Sequence, residues 1–396
     1  MSSSPVNLVS REFKADPFPF YARLRAEQPV CRVSAPGLKE AWLITCYDDV
    51  VAVLKDNRFA KNPLTAATQP WLPGFAKPLQ RNMLDLDEPD HTRLRTLVHK
   101  AFTPPMVERL QGRIQHIADQ LLDAAEPRGS TDLVRAYALP LPLTVIGELL
   151  GIPSQDQDRF HRWTKAMLKT PTKFNMVRAM PSLIAFMRYL RRLFRQLRST
   201  PQDGLLTALV QVEEAGDRLS EDELLGMAFL LLIAGHETTV NLISSGALAL
   251  LQHPDELARL RRDPSLIKSA VEELLRYTNP LETAAPRFAR EDVMVAGVTI
   301  PRGAQVLAVV ASANRDASQF EDPDRLDITR ENNRHLAFGQ GAHFCLGAPL
   351  ARLEGQIAIN TLLRRLPRLQ LAVPEASLRW RATPVLRGLE KLPVRF

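Results

Sequence analysis

The sequence predicts a mainly helical protein with small β-sheets, and three observations carry that expectation. In Ser220-Glu221-Asp222-Glu223 the Ser220 hydroxyl and the Glu223 carboxylate can satisfy each other's orphan backbone donors, which makes a capping box. The apolar-rich run behind it reaches about Leu251 before His253-Pro254, about thirty residues or ~45 Å of helix, enough to cross a domain. Further helices are punctuated by proline. One starts at Pro254, one spans about 264–278 and stops at Asn279-Pro280, and one starts just after Cys345 and runs through Arg364. Strand-like runs are few and short, at 41–45, 293–300 and 305–310, with Pro301-Arg302-Gly303 as the turn between the last two. The Pro- and Ala-rich stretch 62–78 reads as loop.

Bulk properties bound the rest. At 396 residues, with 45% hydrophobic and 24% charged residues, the chain can bury a large core, which excludes intrinsic disorder. No internal repeat or linker interrupts it, so one integrated domain over 16–396 is expected behind an N-terminal tail, 1–15. Cys31, Cys46 and Cys345 are too few and scattered for a disulfide framework or a zinc site, which fits a reducing cytoplasm. Arg11, Glu12, Lys14 and Asp16 leave no room for a signal peptide near the start. The longest apolar stretch, 227–234, is broken by Gly235, His236 and Glu237, so no integral membrane segment is expected. The net charge of +7 favours acidic partners, but it is spread along the chain without a nucleic-acid fingerprint, and no nucleic acid is expected as partner. Arg188, Arg191, Arg192, Arg195 and Arg198 alternate with Leu190, Leu193, Phe194 and Leu197 at helical spacing. This reads as a solvated amphipathic helix, with a membrane surface or acidic partner as the alternative.

Two segments carry chemistry. Phe338-Gly339-Gln340-Gly341-Ala342-His343-Phe344-Cys345-Leu346-Gly347 places three glycines and a cysteine directly before a helix. Glycines let such a loop turn tightly and approach a flat ligand, and a helix N-terminus favours a thiolate suited to binding iron. A lone cysteine is more often a small buried hydrophobe, and only its context argues otherwise. The second segment is Ala234-Gly235-His236-Glu237-Thr238-Thr239, inside the long helix. Gly235 costs a helix about 1 kcal/mol relative to Ala and so needs a packing or functional reason. Ala234 and Thr238 share a face, where a small residue leaves room for something flat. An acid beside an alcohol suits proton relay, with helix packing and a surface carboxylate as the plainer reading.

The pattern Phe338-x-x-Gly341-x-x-x-Cys345-x-Gly347 resembles the haem-binding signature of the cytochrome P-450 family, and three further motifs stand in the family's order. The resemblance runs from about Asp16 to the C-terminus and is closest to soluble bacterial members. It implies the cytochrome P-450 fold, with haem b (iron protoporphyrin IX) between the long central helix and the helix following Cys345. By that resemblance Cys345 is the proximal iron ligand, its thiolate favouring O–O cleavage. Phe338, Gly339, Gly347, Ala234 and Gly235 then contact the cofactor, Glu237 delivers protons and Thr238 stabilises the activated oxygen. His236 falls at a variable position and implies packing or a pocket-facing role. The two haem propionates need cationic partners. The resemblance supplies His91 and Arg95, four apart in Asp90-His91-Thr92-Arg93-Leu94-Arg95, with Arg287 in Ala285-Pro286-Arg287, and His343; Arg93 lies on another face. Glu273 and Arg276 resemble the family's buried structural pair, with Arg325 as third partner and Leu326 where an aromatic is usual.

The implied activity is monooxygenation of a lipophilic small molecule by O2, as hydroxylation or epoxidation. Without a flavin-, nicotinamide- or iron–sulfur-binding segment, electrons are expected from a ferredoxin or flavodoxin with its NAD(P)H reductase. A hydrogen-peroxide-dependent peroxygenase and a non-enzymatic haem sensor or carrier are the alternatives, and the Glu237–Thr238 pair weighs against both. Pocket-lining segments implied by resemblance are the loop before Leu84, 160–190, 281–285 and the turn at Gly388-Leu389. They are largely apolar and fit a polyketide, terpenoid, steroid or fatty acid.

Overall fold

The capping box forms as the sequence predicts. Glu223 N donates to Ser220 Oγ (3.3 Å), and Ser220 N returns a bond to the Glu223 carboxylate (2.8 Å). From it the long helix Glu221–Gln252 runs without a break. The structure is a computed structural model that describes residues 7–35, 38–62, 74–156, 159–160, 162–163, 173–214, 216–383 and 385–396. The expected loop 62–78 lies outside the described residues over 63–73, and Gly74–Gln80 is a 3-10 helix. The backbone gathers into two compact units: Met1–Pro70, Gly112–Pro140 and Thr238–Phe396 form the first, Trp71–Gln111 and Leu141–Glu237 the second.

In the first unit three helices pack on one another because glycines let their backbones approach. A Cβ on Gly355 would stand 2.8 Å from Leu242, and one on Gly246 would stand 3.3 Å from Leu274. The C-terminal half of the long helix, Ile267–Thr278 and Ala348–Arg365 thereby share one core, including Leu242, Leu274, Leu326 and Ile359. Long and apolar enough by composition to cross a membrane, the long helix nevertheless has over half of its most apolar window buried in protein. Beside the helices lies a five-stranded sheet in the order Val30–Ala35, Leu38–Ile44, Gln305–Ala308, Arg287–Ala289, Phe59–Ala60. Its central pairing is parallel, with Val306 opposite Trp42.

Three local expectations are corrected. The run 293–300 is a hairpin of Val293–Val295 and Val298–Ile300, because Ala296 (φ 46°) and Gly297 (φ 78°) both take the left-handed conformation that a tight hairpin turn needs. The run 305–310 leaves the sheet at Ala308, and Val310–Ala313 coils into helix. In the segment set apart as a tail, the helix Arg11–Ala15 carries Lys14 into the interior, where its Nζ meets the Glu282 carboxylate (2.6 Å) that also accepts from Tyr21 (2.5 Å).

The second unit contains the helices Asp90–Ala101, Lys173–Ser199 and the start of the long helix. Arg93 faces away from His91 and joins Asp217 (3.1 Å) and Glu223. On Lys173–Ser199 the residues Leu190, Leu193, Phe194 and Leu197 are buried while Arg188, Arg192, Arg195 and Arg198 are exposed, the amphipathic pattern the sequence predicts. Arg191 is half-buried and paired with Glu221 (3.2 Å).

The Glu273–Arg276 pair is fully buried, at 2.8 Å. Its third partner is corrected. Arg330, not Arg325, bonds the Glu273 carboxylate (3.2 Å), while the Arg325 side chain is 61% exposed and lends only its main-chain carbonyl to Arg276 (3.0 Å). Arg276→Ala would strand a buried carboxylate at a cost of about 3–5 kcal/mol, a large part of a typical folding stability. Arg325→Ala should change stability by no more than about 0.5 kcal/mol. Soluble yield and thermal melts of the two variants check this contrast; equal effects would contradict it.

Candidate active site

The cysteine loop closes on itself through its main chain. Cys345 N donates to Phe338 O (2.9 Å), and Gly339 (φ 71°) and Gly341 (φ 74°) supply turns that a side chain would strain. Cys345 lies three residues before the helix Ala348–Arg365, whose N-cap is Gly347, and it is exposed together with Phe344. Beneath the loop, Phe338 is buried, with the Arg352 guanidinium over its ring (4.5 Å) and Phe344 edge-on to it (6.3 Å). Arg352 forks onto Glu272 (2.7 and 2.8 Å), and His335 reaches the same carboxylate (3.1 Å). Burial alone would raise the Glu272 pKa, but the bonds from His335 and Arg352 outweigh it and hold the group at about 2. This support is invisible to motif reading, since Glu272 and Arg352 are far apart in sequence.

Arg287 sits in the central sheet opposite Val306, buried, and donates to the carbonyls of Leu54 (3.0 Å) and Phe59 (3.4 Å). The Leu54 carbonyl is also the group that a Cβ on Gly341 would meet at 3.0 Å. The cysteine loop therefore packs at Gly341 against the same carbonyl that the buried cation bonds. His343 closes the short helical turn Gly341–His343 in the same loop and is half-buried.

On the long helix, Ala234 is exposed although most of the residues that follow from His236 to Leu250 are buried. Gly235 has a packing reason. Its missing Cβ leaves room for Ile146, whose Cδ1 would be 3.2 Å away, so a cofactor contact at 235 would come from main chain. His236 is wholly buried and its Nδ1 bonds the Leu232 carbonyl (2.6 Å), the packing role. Glu237 and Thr238 are adjacent and half-buried. Thr239 is buried and donates to Glu354, a fully buried acid on the cysteine-loop helix that sequence reading passed over. Burial pushes the Glu354 pKa up to about 8, against the opposing effect of the Thr239 bond.

His91 and Arg95 lie on the helix Asp90–Ala101, His91 buried and Arg95 half-buried. Burial first, and the Arg95 charge second, lower the His91 pKa. The first unit thus holds Thr238, Arg287, Phe338, Gly339, His343, Cys345 and Gly347, and the second holds His91, Arg95, Ala234, Gly235 and Glu237. Among the described residues no group of three or more His, Cys, Asp or Glu could hold a bare metal ion. A thiol on an exposed glycine loop, in the same unit as a buried guanidinium, fits an anionic macrocycle carrying iron.

A family model described as cytochrome P450 matches residues 146–371. The chain is 49% identical over 391 residues to the cytochrome P450 monooxygenase PikC of Streptomyces venezuelae, which covers 98% of this chain and 93% of that protein. It is 46% identical over 380 residues to the mycinamicin IV hydroxylase/epoxidase of Micromonospora griseorubida, covering 94% of each. The solved structure of the bacillaene polyketide synthase cytochrome P450 PksS of Bacillus subtilis 168 superposes with a TM-score of 0.93 at 46% identity, over 98% of this chain and 99% of that one.

Glu354 makes stability depend on pH. Between the ordinary carboxylate value and about 8, the unfolded chain carries this group ionised while the folded chain keeps its proton. Stability is therefore lost as pH rises through that window, by up to about 1.4 kcal/mol per pH unit. Denaturant melts from pH 5 to 8 should show Glu354→Gln declining less steeply than the parent; parallel curves would remove the buried acid from the account.

Proposed function

Because this chain belongs to the cytochrome P450 family, we propose that Cys345 ligates the iron of haem b and that a lipophilic small molecule is oxidised beside it. The enzyme is a P450 monooxygenase. The observation that carries the assignment is the cysteine loop itself, closed by Cys345 N on Phe338 O, turned by Gly339 and Gly341 in the left-handed conformation and set directly before the helix Ala348–Arg365. When bound, the haem supplies activation of O2 with two electrons, one oxygen atom going to the substrate and the other to water.

The chain's own residues supply the rest. Cys345 Sγ binds as the thiolate, which the start of the helix Ala348–Arg365 favours through its dipole. The guanidiniums of Arg287 and Arg95 would offset the two propionate charges, and the imidazoles of His91 and His343 would donate hydrogen bonds to them. Phe338, Gly339 and Gly347 shape the loop against the cofactor face, and Ala234 leaves room on the long helix. The Glu237 carboxylate takes protons from solvent, and the Thr238 hydroxyl on the next residue passes them on and holds a hydrogen bond at the reacting oxygen.

The oxidation is hydroxylation or epoxidation, in keeping with the relative named for both. A polyketide is the favoured substrate among lipophilic classes, since a solved relative is named for a polyketide synthase. The segments 281–285 and 385–389 join through a bridge between Leu281 and Leu386, which supports a shared pocket wall. Electrons come from a ferredoxin or flavodoxin with its NAD(P)H reductase, in the cytoplasm.

Turnover reconstituted with a ferredoxin, its reductase and NADH should exceed hydrogen-peroxide-driven turnover. In Thr238→Ala, NADH consumption should continue while product per NADH falls about tenfold or more, the scale of a lost proton-handling group. Peroxide-driven turnover equal to the NADH-driven rate, or unchanged coupling in the variant, would refute this mechanism. Cys345→Ala should abolish the thiolate signature of the reduced carbon monoxide complex.

A further inference from the structure

A cavity of about 790 Å3 opens in the first unit, bordered by Phe18, the C-terminal end of the long helix and Tyr277. Ser245, on its wall, lies seven residues beyond Thr238, which is about 10 Å along a helix. An occupant here would not need to touch the reacting centre.

The wall holds two guanidiniums out of water. Arg315 lies between the rings of Phe18 (4.2 Å) and Tyr277 (3.9 Å), and Arg387 lies over Trp380 (3.9 Å). Arg387 is 6% exposed and donates to the main-chain carbonyls of Lys14, Ala15 and Thr278, at 3.0–3.2 Å. Burial depresses its pKa to about 10. The buried carboxylate of Glu282 is already held by Lys14 and Tyr21, and that of Asp316, next to Arg315 in sequence, by Tyr47 N and Ser318. Asp324 does reach Arg315 (2.7 Å), but its side chain is 72% exposed. Buried cations therefore outnumber buried anions here, an arrangement that an added anion would relieve. Two donors on the wall also lack an acceptor among the described residues: Arg315 Nε and Ser245 Oγ, both buried.

We propose that this cavity binds a small monocarboxylic acid with an apolar body, its carboxylate accepting from Arg315 and Ser245 and its body lying against Leu248, Ala249 and Leu378. The volume is within the range of small-molecule sites. The exposed acids Asp16, Asp324 and Glu375 at the cavity disfavour polyanions such as phosphate esters, while salt screens their effect on a single charge.

The test is calorimetric titration of the holoenzyme with octanoate, with octanamide as the uncharged match. Octanoate should bind saturably at one site, octanamide about tenfold or more weakly. Ser245→Leu and Ala249→Leu, which fill the cavity from the long helix, should each weaken octanoate about tenfold or more. Circular dichroism identifies a variant that does not fold, and the other then decides. Equal affinity for octanamide, absence of saturable octanoate binding, or unchanged affinity in a folded blocking variant would overturn the proposal.

Discussion

The buried ion pair between Glu273 and Arg276 organises the chain that leads to the cysteine loop. From Asn314 to Phe338 that chain has no helix or strand, and a segment of this length needs specific anchors to hold one shape. Arg276 accounts for the carbonyls of Asn314, Pro323 and Arg325, and Glu273 accepts from Asp327 N, Asn333 Nδ2 and Arg330 Nε. Asn314 continues the chain of bonds by accepting from Leu336 N (2.7 Å), two residues before Phe338. Phe338 O then takes the bond from Cys345 N. A charge pair on one helix thus fixes the position of a thiol that lies about seventy residues further along the chain.

Glycine has a second kind of control, over approach distance. Gly246 and Gly355 bring the three helices of the first unit close enough for Glu354 to meet Thr239, and Gly341 lets the Leu54 carbonyl reach the loop. Each glycine inside a helix costs about 1 kcal/mol of helix propensity, which the closer packing has to offset. At Gly235 the missing side chain makes space for Ile146, while the neighbouring Ala234 is exposed.

What the sequence made legible was local. Proline punctuation, the capping box at Ser220 and the apolar stripe of Lys173–Ser199 each depend on neighbours within a few residues, and each formed as expected. The glycine-rich cysteine loop belongs with them, because its turns are encoded in its own residues. Long-range partners were not legible. Arg325 stands in a recognisable motif and Arg330 does not, yet direction decides the pairing, and the Arg325 side chain points to water. Glu354 reads as an ordinary helical acid until the packing of two distant helices buries it, and Ala296 gave no hint of its left-handed turn because alanine seldom takes one.

Two glutamates near the cysteine loop show why burial alone does not set charge. Glu272 meets two side chains that can carry positive charge and is held as a carboxylate at about 2; Glu354 meets one hydroxyl and keeps its proton to about 8. The dehydration penalty acts in the same direction on both, and the partner decides which form survives it. Both outcomes would suit the thiolate proposed at Cys345. The charge of Glu272 is matched by Arg352 and His335 beneath Phe338, and Glu354, further along the helix that begins beside Cys345, presents no charge at neutral pH. Neither acid would add an uncompensated negative charge near the thiolate proposed at Cys345, so the positive end of the helix dipole would act on it without local opposition from them.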